Sequence, residues 1–234
     1  MCKLTRRQLF LGGSGLILFG CGDSTTVEQA KDYYSVSQRV GGIDYIFHWG
    51  RNNTIVINEN ASDSTYSANS SSTEVGWFRD GVTEWASALA EVGVSTVYGS
   101  SSPDVEVYWL TSDQMAAFAG DPDVLGLASM SKKIYMLKGA TQVLSKAIAI
   151  HEFGHMLGLW SHSFDSGDIM YPYAISSSLS NRDKRTMVDF LYQLTPDVDM
   201  HDLPGPMTLP STGQTIPHIV SYFTEDGCKL QSHS

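Results

Sequence analysis

The stretch His151-Glu152-Phe153-Gly154-His155-Met156-Leu157-Gly158 constrains this chain more than any other segment. Two histidines four residues apart share a face only if the segment is helical, where four residues turn through roughly 400°. Their imidazoles then project about one turn apart, close enough for two nitrogens to reach one zinc ion at roughly 2.0–2.1 Å each. Glu152, turned away from direct ligation, can take a proton from a zinc-bound water, whose pKa the metal lowers toward about 7. Val143, Leu144, Ala147 and Ile148 precede the motif at helical spacing and supply the helix it needs. Gly158 follows where the chain must leave that helix, because glycine tolerates the left-handed conformation.

A catalytic zinc normally keeps three protein ligands and one open position. The extended form of the motif puts a third histidine at position 161, but Ser161 stands there and His162 comes one step later. Serine is a poor zinc ligand. Asp165 and Asp168 offer carboxylates, and Glu225 lies far off in the C-terminal segment. The spacing within this stretch does not by itself choose among them. His48, His201, His218 and His233 show no ligand spacing and read as ordinary core or surface histidines.

The rest of the chain is organised around that segment. Its 234 residues, 42% hydrophobic and 17% charged, suit one globular domain with a real core. A net charge of −10, with nothing basic clustered after the first few residues, argues against nucleic acid as a partner. Tyr45–Trp49 and Thr54–Asn58 read as a first strand or hairpin about the turn Gly50-Arg51-Asn52-Asn53. Residues 75–92 read as one helix with Phe78, Val82, Trp85 and Leu89 on its apolar stripe. Strands are expected at 104–110, 125–130 and 133–137, a helix from about Thr141 through the motif, and a last helix over 181–194. Ser180 and Asp183 form an S-x-x-D cap at the start of that last helix, and Met187, Leu191 and Leu194 make its apolar face. The order implies an α+β fold with one small, twisted mixed sheet packed on helices. Residues 196–234 are punctuated by Pro and Gly without periodicity and read as an irregular tail.

Residues 1–20 have the charge and length of a signal peptide, and their apolar run, Leu9 to Gly20, is too short to span a membrane. Leu18-Phe19-Gly20-Cys21 resembles the lipobox of bacterial lipoproteins, with Cys21 as the lipid attachment site, and Arg6-Arg7 resembles a loose twin-arginine export signal. The expectation is an exported, monomeric protein on the periplasmic face or cell surface of a bacterial membrane, with residues 21–39 as a polar tether. If Cys2 leaves with the signal and Cys21 is acylated, only Cys228 remains, and no disulfide holds the domain.

HEFGHMLGL, the later Asp168-Ile169-Met170-Tyr171-Pro172, and the Leu-Ser-x-x-Asp start of the last helix together resemble the matrixin branch of the metzincin metalloproteases. The resemblance spans 40–195 and implies a catalytic domain in which a methionine turn lies beneath a three-histidine zinc site. In matrixins the third histidine typically precedes the turn methionine by eight residues, as His162 precedes Met170. The resemblance therefore implies His151, His155 and His162 as ligands, Glu152 as base, Met170 as the Met-turn floor, and one extra residue, Trp160 or Ser161, between Gly158 and His162, a bulge that costs little if the loop there is exposed. It also implies that peptide or protein substrate adds as a strand beside Gly126–Met130, pairing with Leu127 and Ala128. The segment Pro172–Ile175 would wall the pocket beyond the cleaved bond. Calcium is common in the family, and Asp121-Pro122-Asp123 is its candidate contributor, although two carboxylates in a turn are more often simply a turn. The competing class is a weakly catalytic or inactive zinc-binding surface lipoprotein acting as a binding module, which would not need Glu152.

Overall fold

The computed structural model describes residues 33–40, 43–67, 69–172, 176–202 and the strands at 207–208, 215–216, 218–224 and 229–233. The signal, Cys21 and most of the tether, as well as residues 173–175, lie outside the described residues. In chain order come β1 (Gln38–Val40), β2 (Ile43–Tyr45), β3 (Phe47–His48), β4 (Thr54–Asn58), α1 (Ser72–Glu84), α2 (Ala86–Glu91), β5 (Ser95–Tyr98) and β6 (Val105–Leu110). Then follow α3 (Ser112–Ala119), β7 (Val124–Ser129), β8 (Lys133–Leu137), α4 (Gln142–Met156) and α5 (Asn181–Arg185). The last strands are β9 (Val198–Asp199), β10 (Met207–Thr208), β11 (Thr215–Ile216), β12 (His218–Thr224) and β13 (Lys229–His233).

One mixed sheet in the order β13-β12-β7-β8-β6-β4-β5 organises the molecule. Its body is the five strands from β7 to β5. There β8, β6, β4 and β5 run parallel, while β7 runs antiparallel to β8. Alternate side chains of a strand point to opposite faces. Val105, Val107 and Trp109 accordingly join the large core with Phe78, Val82, Ile148 and Phe153 of α1 and α4. Tyr108 and Leu110 join a smaller cluster on the other face with Tyr135, Leu127 and Met115 of α3. Both faces are covered, which explains why β6 reads VEVYWL rather than a strict alternation.

The chain departs from its local signals in five places. The helix expected over 75–92 breaks at Trp85, whose indole turns inward and donates to Ile150 O at 2.9 Å. No hairpin joins β3 to β4. Instead β3 pairs with β9 and β4 with β5 and β6, all in parallel. The last helix is regular only over Asn181–Arg185 and continues as a π-helical segment (Thr186–Phe190) and a 3-10 turn (Leu191–Gln193). Val143 is exposed, so only Ala147 and Ile148 of the four apolar residues preceding the motif are buried, with Leu144 partly so. Finally, the segment read as an irregular tail contributes β12 and β13 to the main sheet, β12 pairing antiparallel with β7. Its composition, HIVSYFT in β12, is that of a strand, but the surrounding Pro and Gly punctuation obscured it.

Candidate metal centre

Helix α4 begins at Thr141, whose hydroxyl accepts from Leu144 N, and is buried almost throughout its second half. It ends in a Schellman turn: Gly158 N donates to His155 O at 2.9 Å and Leu159 N to Gly154 O at 3.1 Å, with Gly158 at φ +108. A Cβ at Gly158 would also sit 2.0 Å from Phe47 O. The orphan carbonyls of Met156 and Leu157 accept from Trp49 Nε1 (2.6 Å) and Tyr192 Oη (3.2 Å). The helix end carrying His155 is thus fixed by its own turn and by two other parts of the chain, at residues 47–49 and at Tyr192.

His151, His155 and His162 come together, with one ligating nitrogen from each lying within 4.8 Å of the others. Among the described residues this is the one grouping of three metal-ligating side chains. The Nε2 atoms of His151 and His155 stand 3.1 Å apart. Two nitrogens each roughly 2.05 Å from one tetrahedral centre lie about 3.3 Å apart, so the spacing fits a shared zinc ion. Ile169 O, 2.7 Å from His151 Nδ1, and Leu159 O, 2.7 Å from His155 Nδ1, are acceptors only. Each Nδ1 therefore carries the proton, and each Nε2 presents a lone pair to the centre. His162 Nε2 is buried with no hydrogen-bond partner.

Burial, reinforced by His162, pushes His151 down to about 3. Burial alone pushes His162 down to about 4, and burial followed by the other two histidines pushes His155 well below its ordinary range. All three are neutral at pH 7, the form that binds a metal. Both carboxylate oxygens of Glu152 are buried without a hydrogen-bond partner, and burial raises its pKa well above the usual carboxylate range. An isolated buried carboxylate is costly unless a positive charge lies nearby. Three convergent neutral imidazoles beside it supply a seat for that charge.

Of the other candidates for third ligand, Ser161, Asp165 and Asp168 are engaged elsewhere, and Glu225 lies outside the described residues. Ser161 Oγ donates to Ser37 O at 2.6 Å. Asp165 is paired with Arg182. Asp168 is buried and accepts from Ser163 Oγ, from Ser180 Oγ at 2.6 Å and from Arg182 Nε at 2.7 Å. Asp121 Oδ1 accepts from Asp123 N at 3.0 Å, closing an Asx turn.

The two candidates for the extra residue differ in burial: Ser161 is partly exposed, whereas Trp160 lies inside. Leu159 and Trp160 are fully buried, and the Trp160 indole stacks behind His155 with ring centroids 5.6 Å apart and 17° between planes. An extra residue at 160 thus sets an aromatic wall against His155.

Sequence reasoning also missed a scaffold. Asp183 caps α5 through Ser180 and, in addition, accepts from Ile169 N (2.9 Å), Met170 N (3.5 Å) and Tyr34 Oη (3.1 Å). The cap signal was visible, but the reach to the 168–171 turn was not. Met170 is buried against α4, where a Cβ on Gly154 would meet Met170 Sδ at 2.5 Å. Leu127 and Ala128 are buried in β7, but their backbone is not a free edge, because they pair with Tyr222 and Ser221 of β12.

A family model described as matrixin matches residues 65–193, more than half of the chain. The chain belongs to the matrixin family. Membership in this family of zinc metalloproteases implies zinc, and the histidine cluster provides a place for it. Two solved structures of myroilysin resemble this matrixin domain. One is 13% identical with a TM-score of 0.39, covering 67% of this chain and 94% of that one. The other is 11% identical with a TM-score of 0.38, covering 63% and 96%. No curated protein sequence matches.

Proposed function

We propose that the chain is a zinc-dependent endopeptidase that hydrolyses peptide bonds of protein substrates. The supporting observation is the convergence of His151, His155 and His162 on one point beside a buried carboxylate that has no hydrogen-bond partner. His151, His155 and His162 would hold the ion, with Nε2 of His151 and His155 oriented by Ile169 O and Leu159 O. A zinc ion in that seat supplies Lewis acidity toward water and the scissile carbonyl. Glu152 takes the proton of the attacking water and delivers it to the departing amine, general-base and then general-acid work in one side chain. Met170, packed against Gly154, keeps the floor beneath the histidines apolar. A non-catalytic binding module would have no use for a carboxylate held buried at this cost. The test is zinc content and peptide hydrolysis of purified wild type and Glu152→Ala: both should bind one zinc per chain and only the wild type should turn over. Turnover by Glu152→Ala close to wild type would overturn the reading.

The protein is proposed to act as a monomer tethered to a bacterial membrane through lipid on Cys21, on the motif Leu18-Phe19-Gly20-Cys21. Cys21→Ser should shift it from the detergent phase to the aqueous phase. An unmodified mature N-terminus elsewhere, found by mass spectrometry, would exclude the anchor.

A further inference from the structure

We propose that the C-terminal hairpin β12–β13 is a built-in competitor that occupies the peptide-binding edge of the sheet and must leave before substrate can pair there. The inference rests on the endopeptidase reading above, because the competitor matters only if an extended peptide has to lie on that edge. Strand β7 borders the candidate site directly: a Cβ on Gly126 would lie 3.4 Å from Glu152 Oε1 and 2.3 Å from Ile148 Cγ2. One side of β7 is taken by β8, through Gly126↔Met136, Leu127↔Tyr135 and Ala128↔Ile134. A peptide brought past Glu152 in extended form therefore has only the other side of β7 on which to add as a strand.

That side is filled by the chain itself. Val220, Ser221, Tyr222 and Phe223 pair with Ser129, Ala128, Leu127 and Gly126, which places Phe223 opposite the glycine that borders Glu152. The register then shifts, Thr224 pairing with Val124, so the ladder is irregular just beyond Gly126. Neighbouring strands lie about 4.8 Å apart, so β12 and a substrate strand cannot share this edge. β13 covers the outer side of β12 and leaves no second seat next to it. The hairpin is continuous with the domain, and a tethered strand competes at a high effective concentration. Apparent substrate affinity then falls by the fraction of molecules whose edge is open.

The experiment uses the full chain carrying Ser221→Pro and Tyr222→Pro together. Adjacent prolines remove donors facing both neighbours of β12, whichever residue bonds β7. Three readouts are taken: hydrolysis of an extended peptide, amide hydrogen exchange over residues 124–129, and binding of a labelled synthetic peptide of residues 218–233. The expected result is a KM about ten-fold lower or more with kcat little changed. Amides of β7 should lose protection, and the added peptide should restore it while inhibiting hydrolysis. If the double variant does not fold, the full chain with a protease recognition sequence inserted between Asp202 and Met207 is cut after folding and read in the same three ways. Unchanged KM together with unchanged β7 protection overturns the proposal and leaves the endopeptidase reading standing. Absence of hydrolysis in every form, with β7 deprotected and the labelled peptide bound only after release, supports the competitor and overturns the endopeptidase reading.

Discussion

Two of the three candidate ligands sit on α4 and the third on the loop 158–170, and the two regions reach the same point by different means. On α4, helical geometry alone aligns His151 with His155, and the helix needs only its cap at Thr141 and its Schellman end at Gly158. In the loop no period places His162. Its position follows from buried polar ties: Ser163 N to Met170 O at 2.8 Å, Asp168 to Ser163, Ser180 and Arg182, and Asp183 to the backbone of Ile169 and Met170. A ligand pair on a helix survives most changes elsewhere. A ligand on a loop depends on every tie that holds the loop.

The sharpest separation is expected within α4. Glu152→Ala should lower peptide hydrolysis about 10²–10⁴-fold, because general-base loss typically costs that much, while bound zinc stays near one per chain. In the loop, His162→Ala should strip the metal on dialysis, since two ligands on one helix fix only two corners of a tetrahedron. Metal analysis after dialysis checks both. Zinc retained by His162→Ala and lost from Glu152→Ala would reverse the division of labour between the two regions.

Next come the supports. Trp160→Ala removes a fully buried indole from behind His155 and should cost about 3–5 kcal/mol of stability in urea unfolding. Deleting Trp160 restores the ordinary motif spacing but removes the same wall, so it should destabilise similarly rather than pass unnoticed. Asp183→Ala leaves the N–H groups of Ile169 and Ser180 without their carboxylate at once, and should cost about 3 kcal/mol. A change below roughly 1 kcal/mol for either alanine variant would mean the loop is not held by these ties.

How much of this was legible follows the same division. Helix α4, the Ser180–Asp183 cap and the strands at 105–110, 124–129 and 133–137 all leave local patterns, and each was readable. His162 was readable only through its interval to Met170. Helix α3 was missed although Thr111 and Gln114 form its capping box, because eight residues carry little periodic signal. The β3–β4 hairpin was a wrong reading of two adjacent strands, each of which finds a parallel partner far along the chain. The hairpin β12–β13 was passed over although His218–Thr224 is rich in β-branched and aromatic residues and Asp226-Gly227 follows it; what no local pattern carries is its partner, β7, about ninety residues earlier.

The metal-free protein should show a pH dependence set by the same three histidines. Their folded pKa values lie below the ordinary 6.5, at about 4 for His162 and about 3 for His151, with burial the first cause. The unfolded chain therefore binds protons that the folded chain refuses. Stability from these groups is fully present above about pH 6.5 and is lost as pH falls toward 4 for His162 and toward 3 for His151. Urea midpoints of the apo form measured from pH 7 to pH 4 should decline across that window. Saturating zinc should flatten the decline, because ligation holds the imidazoles deprotonated. The buried Glu152, raised above the carboxylate range, changes stability in the opposite direction, so the series is also run on Glu152→Gln. There an apo midpoint that stays level from 7 to 4 would mean these imidazoles are already solvated in the folded state.

The smallest effect is expected where the motif, read literally, places a ligand. Ser161 occupies the third-histidine position, yet its hydroxyl donates to Ser37 O at 2.6 Å and so fastens the segment before β1 to the loop. Replacing it with alanine removes one hydrogen bond at a partly exposed site and should cost about 0.5–1.5 kcal/mol. Zinc content and hydrolysis should stay near wild type, because His162, Leu159 O and the Trp160 stack are untouched. The comparison with His162→Ala is decisive because the two residues are neighbours, so a general disturbance of the loop would affect both. If Ser161→Ala loses metal after dialysis and His162→Ala keeps it, the third ligand follows the literal motif, and the eight-residue interval to Met170 is coincidence.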